Sequence, residues 1–138
     1  KHSPLSKNMN IKSLLSKEIK EALLKDSKVI AVLLFGSFAR NEKNYRDIDI
    51  CLVLDKKYPP LQLSKKKLQY AILAKTPLDI QIFQQLPIYI RKRILKEGKV
   101  LICKNQPLLY EIAFSTIKEF GFYEKLYNLY LDEIEKNA

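Results

Sequence analysis

Seven consecutive apolar residues, Val29 to Phe35, run without interruption into Gly36-Ser37. A run this short, dominated by branched side chains and stopped by a glycine, reads as a strand buried on both faces. Such a strand cannot belong to a sheet with one wet side. It needs packed elements above and below, so the chain has to supply helices for both faces.

The rest of the pattern supplies them. Ile11, Leu14, Leu15, Ile19, Ala22 and Leu23 keep helical spacing, with Lys12, Lys17, Lys20 and Glu21 outside the stripe. Ile48 to Leu54 reads as a second strand, and Pro59-Pro60 open a loop before a Lys-rich helix from about Leu61 to Lys75. Leu78 to Phe83 alternates with period two, as a third strand does. Pro87 marks the start of a helix reaching Glu97, Gly98 stops it, and Lys99 to Cys103 makes a fourth strand. Beyond Pro107 one helical stripe holds Leu109, Ile112, Ala113, Thr116 and Phe120; a second holds Tyr123, Leu126, Tyr127, Tyr130, Leu131 and Ile134, with a break expected at Gly121. The expected fold is α/β (α+β): a short mixed β-sheet flanked by helices. Residues 9–104 form its core, 105–138 a helical extension of the same domain, and 1–8 a tail or tag remnant preceding Met9.

The chemistry lies between Leu34 and Asp79. Leu34-Phe35-Gly36-Ser37-Phe38-Ala39-Arg40 is followed, after a polar stretch, by Asp47-Ile48-Asp49-Ile50. Residues two apart on a strand share a face, so Asp47 and Asp49 stand together while Ile48, Ile50 and Leu52 pack on the other side. Neighbouring carboxylates on an apolar strand repel and are costly to desolvate, and a divalent cation is the simplest partner that removes the cost. Asp79, between Leu78 and Ile80, would complete a three-carboxylate cluster able to hold two Mg²⁺ ions if its strand lies beside the second. Gly36-Ser37 after a buried strand lets backbone amides and a hydroxyl approach a triphosphate, and Arg40 is placed to neutralise its charge.

These motifs resemble the signature of the polymerase-β-type nucleotidyltransferases, in their minimal, small-protein branch. The resemblance covers roughly Ile30 to Phe83 and implies the fold of that core with C-terminal helices. It implies that Gly36 and Ser37 hold the triphosphate of ATP, that Asp47 and Asp49 bind both metals, and that Asp79 binds one and helps activate the attacking hydroxyl. Asn41 stands where glycine is usual and Arg46 where serine is usual; neither change removes a ligand. Thr116 to Phe120, then Phe122-Tyr123, resemble the tail of the antitoxin members, whose partners are HEPN-domain ribonuclease toxins. In that subgroup AMP passes to a toxin tyrosine. The alternatives weighed are an antitoxin that blocks its partner sterically, and transfer to a small molecule.

Composition narrows the rest. Residues 9–106 carry 20 Lys+Arg against 9 Asp+Glu, while 107–138 carry 3 against 6. A basic body suits nucleotides. Lys65-Lys66-Lys67 and Arg91-Lys92-Arg93 read as solvated helix faces, so nucleic acid is not the favoured ligand. The tyrosines at 123, 127 and 130 share one face suited to a partner or to self-association. No apolar run approaches the ~20 residues of a membrane span. Cys51 and Cys103, each within an apolar run, read as buried free thiols of a reducing cytoplasm. His2 is the only histidine, so histidine catalysis is excluded in the residues given, as is a four-ligand zinc site.

Overall fold

A computed structural model of the chain describes residues 14–40, 47–74 and 78–137, the side chains of Ser37 and Phe38 excepted. Along the chain run α1 (Lys17–Lys25), β1 (Val29–Phe35), the single turn α2 (Gly36–Ala39), β2 (Ile48–Leu54), α3 (Pro60–Leu73), β3 (Leu78–Ile82), a 3₁₀ turn (Phe83–Gln85), α4 (Ile88–Glu97), β4 (Lys99–Cys103) and α5 (Gln106–Lys136). The strands form one sheet in the order β3-β2-β1-β4. β1 runs antiparallel to β2 and β4, and β3 lies parallel to β2. The sheet is mixed because α3 carries the chain back across it between β2 and β3, as a parallel pair requires.

Both faces are covered, which is why β1 is apolar at every position. Val32 and Leu34 meet Ile19 and Leu23 of α1 and Leu63 and Tyr70 of α3, together with Ile50, Leu52 and Ile80. Ala31 and Leu33, on the other face, meet Ile94 of α4 and Leu109 of α5, with Cys51, Val53 and Phe83. At about 25 cal/mol per Å² these two apolar layers are the main source of stability.

The helix ends explain where patterning alone misplaces boundaries. Ser16 caps α1, its hydroxyl accepting from the Ile19 amide at 3.3 Å, so Leu14 and Leu15 precede the helix although their spacing belongs to it. Ile11 lies outside the described residues. At the other end of α1, the Lys104 ammonium donates to the carbonyls of Leu23 and Asp26, each at 2.7 Å. The Asp26 carboxylate accepts from Lys66 at 2.6 Å, Tyr70 at 2.8 Å and the Lys28 amide at 3.1 Å. Burial pushes the Asp26 carboxyl up, but these hydrogen bonds and the Lys66 charge outweigh it and hold it below the ordinary 3.8. Lys66 is therefore a tether between α3 and α1, not part of a solvated face.

Other expectations are corrected. Pro60 is the first residue of α3, not a loop residue. Phe83 turns into the 3₁₀ segment, which buries its ring. Gly121 does not break the C-terminal helix: among the described residues nothing beyond the helix itself lies within 4 Å of where its side chain would be, and the helix runs through it from Gln106 to Lys136. An exposed glycine costs a helix only about 1 kcal/mol, too little to stop one otherwise intact. Cys51 is buried, but Cys103 is exposed, because it ends β4 at the sheet's edge. Neither is in a disulfide.

Candidate active site

β1 delivers its C-terminal end to the start of β2, since the two are antiparallel: Phe35 is the partner of Asp49. β3, parallel to β2, starts at the same end and sets Asp79 opposite Asp49. Gly36, Asp49 and Asp79 therefore meet at one end of the sheet, although no two of them are near in sequence.

Gly36 has φ +84°, a conformation that L side chains rarely adopt, and a Cβ there would lie 2.9 Å from Asp49 Cγ. The glycine thus lets backbone lie directly against the Asp49 carboxylate. The Arg40 amide donates to the Gly36 carbonyl at 3.1 Å, closing α2 as one helical turn. The backbone of Ser37 lies in this turn, while its side chain and residues 41–46 lie outside the described set.

Asp49 is half-buried. Burial, the Asp79 charge, a hydrogen bond with the Asp79 carboxyl and the Asp47 charge raise it from 3.8 to about 6, against a lowering by Arg40. Asp47 stands exposed in the bend just before β2. Among the described residues, no three acidic, cysteine or histidine side chains already form a ligand cage. What is assembled is the pair Asp49–Asp79, with Asp47 near enough for its charge to be felt.

Several residues around this pair were not singled out by the motif. Gln81 donates through Nε2 to Asp79 Oδ1 at 3.0 Å, and its Oε1 accepts from Lys67 at 3.2 Å. Gln81 lies two positions after Asp79 on β3, so strand periodicity alone places both on one face. Lys67 reaches it from α3 past the sheet edge. Arg40 pairs with Glu97 at 3.4 Å. Arg40 and Glu97 also line a cleft of about 290 Å³ with Gly36, Asp49 and Arg93. The basic run on α4 is thereby divided: Arg93 faces this cleft, while Arg91 binds Glu119 at 3.2 Å and the Leu86 carbonyl at 2.9 Å. A separate cleft of about 380 Å³, lined by Asp55, Gln84 and Thr116, sits at the opposite end of β2 from the carboxylates. No helix among the described residues is long and apolar enough to cross a membrane.

Comparison with known proteins follows the same geometry. The family described as "Polymerase beta, Nucleotidyltransferase" matches residues 17–107. A candidate protein adenylyltransferase of Methanocaldococcus jannaschii, MJ1547, is 44% identical over 77 residues, 54% of this chain and 57% of that protein. The chain thus matches little more than half the length of that relative. A solved toxin-antitoxin structure with AMP-PNP superposes with a TM-score of 0.64 at 19% identity, covering 87% of this chain and 98% of the other. A tri-AMPylated Shewanella oneidensis HEPN toxin in complex with MNT antitoxin gives 0.63 at 16% identity, covering 91% and 97%. At such identities these structures attest the fold. The family match spans most of the chain and includes Gly36, Asp47, Asp49 and Asp79. The chain belongs to the polymerase-β nucleotidyltransferase family.

Proposed function

We propose that this protein transfers AMP from ATP to a hydroxyl of a partner protein and acts as the antitoxin of a HEPN-domain toxin, in the cytoplasm. The observation that carries the proposal is the Asp49–Asp79 pair against the open backbone of Gly36. The M. jannaschii relative is named for protein adenylylation, and two solved structures of similar fold come from toxin-antitoxin complexes, one with AMP-PNP and one with an AMPylated toxin.

A divalent cation fits these side chains. The two carboxyls share a hydrogen bond, and Asp49 is held near 6 by burial and by its neighbours, which is the repulsion a cation relieves. Asp47, Asp49 and Asp79 would hold Mg²⁺, two ions at full occupancy. Bound there, Mg²⁺ would supply charge stabilisation at the attacking and leaving oxygens. The protein's own part is positioning. Gly36 and Ser37 receive the triphosphate on backbone amides and a hydroxyl, and Arg40 offsets its charge. Asp79, steadied by Gln81, takes the proton of the acceptor hydroxyl. The acceptor oxygen bonds to the α-phosphorus while the α–β bridging bond breaks, and pyrophosphate leaves.

The test uses labelled ATP, Mg²⁺ and the HEPN-domain protein. Wild type should add AMP units to that protein, visible by mass spectrometry, and Asp79→Asn should add none while still co-purifying with it. A cell expressing the toxin with this variant should be poisoned. Full protection by the variant with an unmodified partner would leave a steric inhibitor instead, and label on a small molecule alone would point to a different acceptor.

A further inference from the structure

α5 spans 31 residues, about 46 Å at 1.5 Å per residue. Only Leu109 and Thr116 are buried, and Phe120 lies half-buried under the Lys92 ammonium at 4.9 Å. From Gly121 onward every described residue is exposed. Among the described residues nothing buries this last stretch, about 24 Å long. A lone helix of that length is marginal in water, and most helical stability comes from covering an apolar face.

This stretch has such a face. Leu109, Ala113, Thr116, Phe120, Tyr123, Tyr127, Tyr130 and Ile134 recur at alternating steps of four and three, the a and d positions of an unbroken heptad pattern. The stripe that packs on the body in the first half thus continues in phase with nothing upon it among the described residues. Tyr127 and Tyr130 are 50% and 63% exposed. Tyr123 and Tyr127 already stack, ring centres 6.3 Å apart and 10° from parallel. Aromatics with few rotatable bonds, held in order before binding, are good anchors.

The flanks decide what covers it. Within the arm Glu124 edges one side of the stripe and Glu133 the other, whereas Lys118, Lys125 and Asp132 lie on the back of the helix. An antiparallel second copy fits badly: with Tyr127 layered on Tyr123, Glu124 falls against Glu124. We infer that residues 120–134 are a docking arm for the acceptor protein, and that this partner offers an apolar helical surface edged by lysine or arginine. That the occupant is the acceptor rests on the protein-directed transfer proposed above; the charge of its surface follows from the arm alone.

Two synthetic 28-residue helices test the inference against the full chain, both with leucine at a and d, one with lysine and one with glutamate at e and g. By fluorescence anisotropy the lysine-edged peptide should bind at least tenfold more tightly than the glutamate-edged one, with the difference shrinking at high salt. Tyr127→Lys with Tyr130→Lys should abolish binding, and Glu124→Lys with Glu133→Lys should reverse the preference while keeping the stripe. Equal binding of both peptides, or binding of neither, overturns the inference. So does a wild-type dimer in sedimentation that Tyr127→Lys dissolves, since a second copy would then be the occupant. Asp49→Asn should bind the peptide as wild type does. Failure of transfer with docking intact tells against the catalytic proposal, and failure of docking with transfer intact tells against the arm.

Discussion

Gly36 and Asp49 fill one space between them: the glycine leaves room that the aspartate carboxylate takes, and a methyl on Gly36 would sit 2.9 Å from Asp49 Cγ. Phe35 and Asp49 are partners in the β1–β2 ladder, so Gly36, the residue that follows β1, cannot move away without straining that pairing. Gly36→Ala should therefore cost about 1–2 kcal/mol from the positive φ alone. It should also displace Asp49 and lower transfer sharply. Urea unfolding measures the first effect, and labelled-ATP transfer the second. An alanine variant with wild-type stability and turnover would show that the contact is slack.

Asp49 itself links pH, metal and stability. Its folded value of about 6 lies above the ordinary 3.8, so the folded protein keeps a proton that the unfolded chain releases. That contribution is complete below pH 3.8 and is lost as pH rises to about 6. In chelator at pH 7, Asp49→Asn should melt higher than wild type. The carboxyl is partly solvated, so the gain should be about 1 kcal/mol after screening, or about 4 °C. Mg²⁺ should raise the melting temperature of wild type and not of the variant. Thermal scans at pH 4 and pH 7, with and without Mg²⁺, read all of this; a variant less stable than wild type in chelator at pH 7 would contradict it.

Asp26 behaves with the opposite sign. Held below 3.8 by Lys66, Tyr70 and the Lys28 amide, it stabilises the fold above pH 3.8, and that stability is lost as pH falls through its lowered value. Asp26→Asn should cost about 1.5–3 kcal/mol at pH 7 through weakened charge-assisted hydrogen bonds. The gap between variant and wild type should narrow below pH 3.8. Denaturant midpoints at pH 7 and pH 3 give the comparison.

Gln81 holds Asp79 through its side-chain amide, at 3.0 Å. Gln81→Leu should slow transfer about tenfold, equivalent to 1.4 kcal/mol, through kcat and with little change in apparent ATP affinity. Gln81→Glu would add a fourth carboxyl to Asp47, Asp49 and Asp79 and should raise the Mg²⁺ concentration dependence of the reaction. Equal losses in kcat and in ATP binding for Gln81→Leu would show that the residue serves the nucleotide rather than Asp79.

Much of the body was legible in the residues. β1, β2 and β4 have the bounds expected from the sequence, because each is flanked by a glycine or a charge. The meeting of Asp49 with Asp79 was also legible, since period two on each strand leaves only the strand order to be found. What was not legible depends on neighbours far along the chain. The start of α1 is a contest between a helical stripe and the Ser16 hydroxyl, which pattern does not weigh. Whether Gly121 breaks a helix depends on what surrounds it, and among the described residues nothing beyond the helix does. Lys66 and Lys67 looked alike in a run of three; one tethers Asp26 and the other reaches Gln81, a division made only when α3 lies along α1 and β3.

The family match ends at Pro107, two residues into α5 counting Gln106, while the exposed stretch of α5 begins only after Phe120. Every carboxylate of the site and every lining residue of its cleft precedes Gly98. On the functions proposed above, chemistry and recognition are written on consecutive, non-overlapping stretches of one chain. Substitutions along the arm can change its choice of partner without touching the groups that handle phosphate. A lineage carrying this architecture can therefore acquire a new counterpart by altering a few residues on one helix face, with its reaction left as it was.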